Sequence, residues 1–242
     1  MRARRLAATV LVASPLLHAA ALGAQVTAGQ VDTFEGGTTQ GWVVGDPSHP
    51  APPTNIATGG PAGAGDNYLQ LTAVGGATPA SGAGGRLAVL NFAQWSGDYR
   101  AAGVGSITMD AANFGTSDLF LRLLWADPAV MGPPQNIAIT STALMLPAGS
   151  GWTRLTFDIG PGSLLAVAGN AETALTDAAE LRIFHNPAAD FPGPPIGIPA
   201  IVATLGVDNI TAVAVVPEPS TMLLMGSGLL LLPLLRRRRR TG

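Results

Sequence analysis

The 242-residue sequence contains no cysteine and no lysine, and only 5% of it is aromatic and 12% charged. Each shortage removes a class of explanation. Without cysteine there is no thiol nucleophile, no thiolate metal site and no disulfide framework. Stability must then come from burial, hydrogen bonding or a bound ion. The three histidines, His18, His49 and His185, lie too far apart in sequence to mark a metal cluster, and no Gly-x-Ser-x-Gly elbow is present. Glycoside hydrolysis needs two carboxylates about 5 to 10 Å apart across a sugar, and nothing in the spacing of the acids selects such a pair. The expectation is a non-catalytic protein.

The charge that is present is unevenly placed. Between Gln25 and Val216 the only basic residues are Arg86, Arg100, Arg122, Arg154 and Arg182, against fourteen acids, a net charge of −9 hidden in the whole-chain value of −2 by basic ends. Such a surface disfavours nucleic acid or anionic lipid as a partner and favours solubility or divalent cations.

That central stretch, 25–216, is punctuated by glycine and proline, with short apolar runs between the breaks, several alternating at period two as half-buried strands do. Leu69, Leu71 and Ala73 share a face opposite Tyr68, Gln70 and Thr72. Leu119, Leu121, Leu123 and Trp125 oppose Phe120, Arg122 and Leu124 in a strand covered on both sides. Thr153, Leu155, Phe157 and Ile159 oppose Trp152, Arg154, Thr156 and Asp158. Further strands are expected over 31–34, 42–44, 87–92, 107–111, 137–146, 180–185 and 206–215, with one helical piece near 163–179. Asp46–Gly65, Gly75–Gly85 and Pro187–Pro199 read as irregular surface loops. About ten strands and almost no helix predict an all-β domain, a two-sheet antiparallel sandwich.

Both ends carry addresses. Residues 1–24 read as a secretory signal peptide, with Arg2, Arg4 and Arg5 ahead of an apolar core from Leu6 to Leu17. Cleavage after Ala21 or Ala24 fits, and a retained anchor is the alternative. At the other end, Ser220–Leu235 is sixteen residues without a charge, eight of them leucine, followed by Arg236, Arg237, Arg238, Arg239 and Arg240. As a helix it reaches about 24 Å, short of the roughly 30 Å hydrocarbon core. The arginines form a membrane stop whose charge keeps that end cytoplasmic and the rest outside.

Val216, Pro217, Glu218, Pro219 and Ser220, the short leucine-rich helix and the arginine run together closely resemble the PEP-CTERM sorting signal of Gram-negative bacteria, a tail also classed as a C-terminal domain of ice-binding proteins. The resemblance implies recognition of Pro217, Glu218 and Pro219 by an exosortase, transient membrane contact through the helix (217–242 in all), and delivery to the cell envelope, surface or extracellular matrix. It implies no chemistry of the chain's own. Ice binding would call for repeated Thr-x-Thr ladders, and Thr140, Ser141 and Thr142 do not make one.

The central stretch resembles jelly-roll carbohydrate-binding modules through Asp32-Thr33-Phe34-Glu35 with Gly41-Trp42, Asn67 to Leu71, Trp152-x-x-Leu155-x-Phe157-Asp158, and Gly206-Val207-Asp208-Asn209-Ile210. In such modules the first and last strands lie side by side, and acids from both commonly hold a structural calcium. Glu35 and Asp208 match those positions, Asp32 is a weaker candidate and Asp66 weaker still; the bland alternative makes Glu35 and Asp208 turn or edge residues in solvent. Polysaccharide would be bound on aromatic faces. Trp42, Trp125 and Trp152 sit in strand patterns and read as core, which leaves Trp95 and Tyr99, in the polar stretch 94–100, as the exposed ligand-binding candidates. The expected function is an exported structural or glycan-binding protein of the envelope or matrix. A polysaccharide hydrolase or lyase and a self-associating adhesion protein are the alternatives.

Overall fold

A computed structural model describes residues 25–45, 49–76, 82–130, 132–192 and 197–215. The expected signal peptide, the Pro-Glu-Pro motif, the apolar helix and the arginine run lie outside the described residues. Among the described residues twelve strands form the fold: β1 (Val31–Asp32), β2 (Thr54–Ile56), β3 (Tyr68–Val74), β4 (Ala88–Asn91), β5 (Val104–Asn113), β6 (Leu119–Ala126), β7 (Ile137–Thr140), β8 (Leu144–Leu146), β9 (Thr153–Asp158), β10 (Leu164–Ala168), β11 (Glu180–His185) and β12 (Val202–Ala214), with a short α-helix, α1 (Ala171–Thr176).

They pair into two antiparallel six-stranded sheets, as the alternation predicts. The first runs β2-β3-β12-β5-β9, with β1 also on β12; the second runs β10-β7-β6-β11-β4, with β8 also on β6. First and last strands are neighbours, Val31 opposite Thr211 and Asp32 opposite Ile210. Period-two alternation sends Leu69, Leu71, Ile107, Met109, Leu155, Phe157, Leu205 and Val207 inward from the first sheet. They meet Val89, Leu119, Leu121, Leu123, Trp125, Leu181 and Ile183 from the second in one buried cluster. Each such large side chain removed from water contributes about 1.5 to 3 kcal/mol, which is how the chain dispenses with disulfides.

Three expectations are corrected. The helix expected at 163–179 is confined to Ala171–Thr176, because Leu164–Ala168 pairs with β7 as a strand. Gly169 at φ 54 then turns the chain, and Asn170 caps α1 by accepting from the amides of Glu172 and Thr173 at 2.8 and 3.1 Å. Of the strand expected at 42–44 only a single bridge, Val43 to Leu90, is formed. The stretch 46–65, expected to be irregular, contains β2, which pairs with the start of β3.

The stretch after β11, also expected to be irregular, covers the outer face of the second sheet. Phe191 and Ile198 pack on Leu124, Ala126, Ile139 and Phe184, a second apolar cluster. Arg122, on that same face, is buried beneath the cover. Its guanidinium donates to the carbonyls of Thr140 (2.6 Å), Ser141 (2.9 Å), Asn186 (3.0 Å) and Pro187 (3.3 Å). Burial lowers the Arg122 pKa from its ordinary value, and the charge of Asp190 partly offsets this. His185 and Asn186 make the turn out of β11: His185 Nδ1 accepts from the amide of Phe120 at 3.0 Å, and Asn186 bonds Asp190 and the amide of Ala188. One outer sheet face is thereby closed, and the first sheet carries the open one.

Candidate functional site

The open face is built around Gly206 in the middle of β12, opposite Gln70 on β3 and Ala112 on β5. A methyl group on Gly206 would lie 2.7 Å from Phe114, 2.9 Å from Trp152 and 3.2 Å from Tyr68. Three rings therefore rest on bare backbone. Their centroids are 5.2 Å (Tyr68 to Trp152), 5.7 Å (Tyr68 to Phe114) and 5.9 Å (Phe114 to Trp152) apart, meeting edge to face or tilted. Tyr68 is the buried base of the cluster, Trp152 is half-buried, and Phe114 is 46% exposed. Trp152 is fixed by its indole N–H, which donates to the carbonyl of Gly59 at 2.9 Å.

Polar groups border the rings. Arg154 bridges Asp110 at 3.2 Å and donates to Thr108 at 2.6 Å. Gln70 makes no side-chain hydrogen bond among the described residues. An apolar ring surface bordered by amide, guanidinium and hydroxyl groups offers a sugar both contacts it needs: its C–H face on the rings and its hydroxyls on the rim.

Trp152 is thus not a core residue, although alternation already put it on the side of Arg154, Thr156 and Asp158. The opposite correction applies to Trp95 and Tyr99, the candidates for exposed sugar stacking: both are wholly buried. The polar stretch around them misleads because their polar atoms are satisfied inside the fold. Tyr99 donates to the carbonyl of Trp95 at 2.7 Å, and burial pushes its phenol above the usual range. Trp95 donates its indole N–H to Asp32 Oδ2 at 2.7 Å.

That contact also reassigns Asp32. Its Oδ2 accepts from the indole of Trp42 at 2.7 Å as well, and Gln94 Nε2 approaches both carboxylate oxygens at 3.2 and 3.1 Å. Burial raises the Asp32 pKa, opposed by the hydrogen bonds from Trp95, Trp42 and Gln94. Asp32 is a buried hub that ties β1 to two tryptophans. Its oxygens are already engaged by these three side chains.

The other acids behave differently. Asp208 is buried at 1% exposure at a bulge in β12, where Asn209 takes φ 49. Its carboxylate accepts from the Asn209 amide at 2.7 Å and from Asn209 Nδ2 at 3.2 Å. Burial first, then the charges of Asp66, Asp110 and Glu35, push its pKa up to about 7 against the bond from Asn209. The structure thus brings Glu35, Asp66 and Asp208 into one electrostatic neighbourhood beside Asp110. Phe34, just before Glu35, is held at φ 59, a conformation costing about 1 to 3 kcal/mol for a bulky residue. Its amide donates to Gln40 (2.7 Å) and its carbonyl accepts from Asn55 (2.7 Å). The exposed Glu35 side chain then accepts from the Asn67 amide at 3.0 Å. Among the described residues, no three acid or histidine side chains converge into a ready-made metal cage.

Comparison with known proteins bears on the tail and on the fold. A family model, the PEP-CTERM protein-sorting motif, matches residues 215–240. No curated protein matches the sequence. Among solved structures, a family 11 carbohydrate-binding module of a cellulosomal cellulase of Clostridium thermocellum is similar at 10% identity and TM-score 0.50. That alignment covers 80% of this chain and 99% of the module. An exo-β-agarase is similar at 12% identity and TM-score 0.50, over 80% of this chain but only 26% of the agarase. The chain therefore spans about a quarter of that enzyme. These similarities show the fold. The sorting motif implies recognition by an exosortase and export to the envelope or surface of a bacterium. The chain is a jelly-roll β-sandwich, similar in fold to a carbohydrate-binding module, with a PEP-CTERM protein-sorting motif over residues 215–240.

Proposed function

We propose that the sandwich is a non-catalytic glycan-binding module which its sorting motif delivers to the envelope or extracellular polysaccharide matrix of a Gram-negative bacterium. The observation that carries the reading is the cluster of Tyr68, Phe114 and Trp152 on the outer face of the first sheet, seated on Gly206 and bordered by Gln70 and Arg154. The kinship in fold with a cellulase's binding module supports it. On the full-length protein in detergent, a glycan array and affinity electrophoresis should reveal retention on the polysaccharide of the producing cell. Trp152→Ala, with Phe114→Ala as a second variant, should lower that retention at least tenfold. No retention on any glycan, or retention unchanged in both variants, would remove the reading.

A hydrolase has one observation in its favour, the Asp208 carboxyl at about 7 beside Asp110. Asp208 is 1% exposed, however, so its proton is out of reach of a polysaccharide.

A structural calcium ion held by Glu35 and Asp208, with Asp66 close by, belongs to the same proposal. The fit rests on the acids gathered there: burial first, then the charges of Asp66, Asp110 and Glu35, hold the Asp208 carboxyl far above its ordinary 3.8. Calcium takes six to eight oxygens, so carbonyls of the adjoining loops would complete the set.

A further inference from the structure

Between β2 and β3 the chain runs Ala57-Thr58-Gly59-Gly60-Pro61-Ala62-Gly63-Ala64-Gly65-Asp66-Asn67. Such a composition reads as slack surface, yet this loop is closed on itself. The amide of Gly59 donates to the carbonyl of Gly63 at 2.9 Å, and that of Gly60 to the carbonyl of Asp66 at 3.0 Å. Asp66 Oδ2 accepts from the amide of Ala62 at 2.6 Å, and Thr58 Oγ1 from the amide of Gly65 at 3.0 Å. Gly60 is buried within the loop, where a methyl group would lie 2.5 Å from Asp66 Oδ2 and 3.0 Å from the Asp66 carbonyl oxygen. The glycine there is required by space.

The loop also reaches across the sheet. Strand β2 is at one edge and β9 at the other, four interstrand steps of about 4.8 Å away. Trp152, which precedes β9, still donates its indole N–H to the carbonyl of Gly59 at 2.9 Å. The two meet because the ring lies inward over Gly206 and the loop arches inward over β3. A methyl on Gly59 would stand 3.9 Å from the Tyr68 ring, and Tyr68, on the outward side of β3, is only 8% exposed. The loop therefore covers the tyrosine and leaves Phe114 and Trp152 as the rings a ligand can reach. It also fixes the more mobile of those two through a carbonyl that is itself held in place.

We propose that the β2–β3 loop is the positioning element of the glycan site, its Gly59 carbonyl holding the Trp152 ring in the orientation that receives a sugar. The proposal rests on the glycan reading of the ring cluster and adds how that cluster is kept ready. Thr58 and Gly60 act through Trp152 as positioning residues. A ring already held pays no ordering cost on binding, and ordering one free side chain weakens an affinity by about two- to tenfold.

Isotope-labelled full-length protein in detergent and EDTA carries four indole N–H groups, and the signal missing in Trp152→Phe is that of Trp152. In the native protein this hydrogen should exchange slowly. In Gly60→Ala it should exchange fast, while the signals of the buried Trp42, Trp95 and Trp125 stay unchanged and report an intact fold. In affinity electrophoresis on the polysaccharide of the producing cell, Gly60→Ala should be retained about two- to tenfold more weakly. Thr58→Val, which removes the acceptor of Gly65 without adding bulk, should shift both readouts in the same direction, and Thr58→Ser should restore both. A freed indole with unchanged retention would overturn the inference. So would an indole still protected in both Gly60→Ala and Thr58→Val, or Thr58→Ser weakening retention as much as Thr58→Val. If the native protein itself is retained on no glycan, the glycan reading falls and this inference falls with it.

Discussion

Asp32 offers the sharpest test of how the first strand is held. Both indole N–H groups, of Trp42 and Trp95, converge on Oδ2 at 2.7 Å, inside the sandwich and beyond the reach of water. The two rings are themselves packed at 6.1 Å. Asp32→Ala strands both donors, and a buried donor left without an acceptor costs about 1 to 3 kcal/mol. Two of them imply a loss of about 2 to 6 kcal/mol, a large part of the 5 to 15 kcal/mol that holds a typical domain together. Asp32→Asn should be much milder. The amide oxygen can take the place of Oδ2 and receive both indoles, while Gln94, turned away by the amide nitrogen, keeps its 2.6 Å bond to the carbonyl of Gln40. A loss of about 1 kcal/mol is expected there, since what disappears is the assistance of the charge. Urea denaturation of both variants in EDTA, followed by tryptophan fluorescence, measures the difference. If Asp32→Ala were as stable as the native protein in EDTA and differed only in calcium, the acid would be a metal ligand after all and the hub argument would be wrong.

Three further outcomes follow from the open face. Asp208 has its folded pKa raised from 3.8 to about 7, so its contribution is fully present below 3.8 and lost as pH rises through 7. The shift corresponds to at most about 4 kcal/mol, or about 2 after discounting for solvent screening; in EDTA that slope should appear in pH-dependent urea melts and vanish in Asp208→Asn. Millimolar calcium should raise the melting temperature of the native protein and leave Asp208→Asn and Glu35→Gln unmoved, and a melt insensitive to both calcium and EDTA would remove the ion. Gly206→Ala would force Phe114 and Trp152 off the sheet, costing about 1 to 3 kcal/mol as overpacking does; near-ultraviolet circular dichroism should change and glycan retention fall, and an unaltered spectrum would show that the rings do not rest on that backbone.

What could be read from the sequence was whatever local periodicity encodes. Leu119, Leu121, Leu123 and Trp125 face inward because a strand alternates, and no distant information was needed. The same alternation, followed strictly, already excluded Trp152 from the core. Trp95 and Tyr99 were illegible for the opposite reason. Their burial depends on Asp32, 63 residues away from Trp95, and no local pattern links a lone acid in the first strand to an indole in a polar stretch. The cover over the second sheet is similar, since Phe191 and Ile198 are isolated apolar residues among prolines and glycines, and only the face of β6 and β11 gives them a partner.

The topology also decides how the module is presented. Pairing of β12 continues to Ala214, and the amide of Val215 still donates to Gly103 at 2.8 Å, so order reaches the first residue of the sorting motif and no linker intervenes. Near that same rim the incoming chain is tied down, the amide of Gly29 donating to Ala212 at 2.7 Å. Gly206 lies nine residues back along β12 from Val215. At about 3.3 Å per residue this is close to 30 Å, somewhat less at the bulge. The aromatic cluster therefore lies about one domain's length from the residue at which the sorting motif begins. On the proposed glycan-binding reading, occupancy of the cluster and recognition of the tail need not exclude each other.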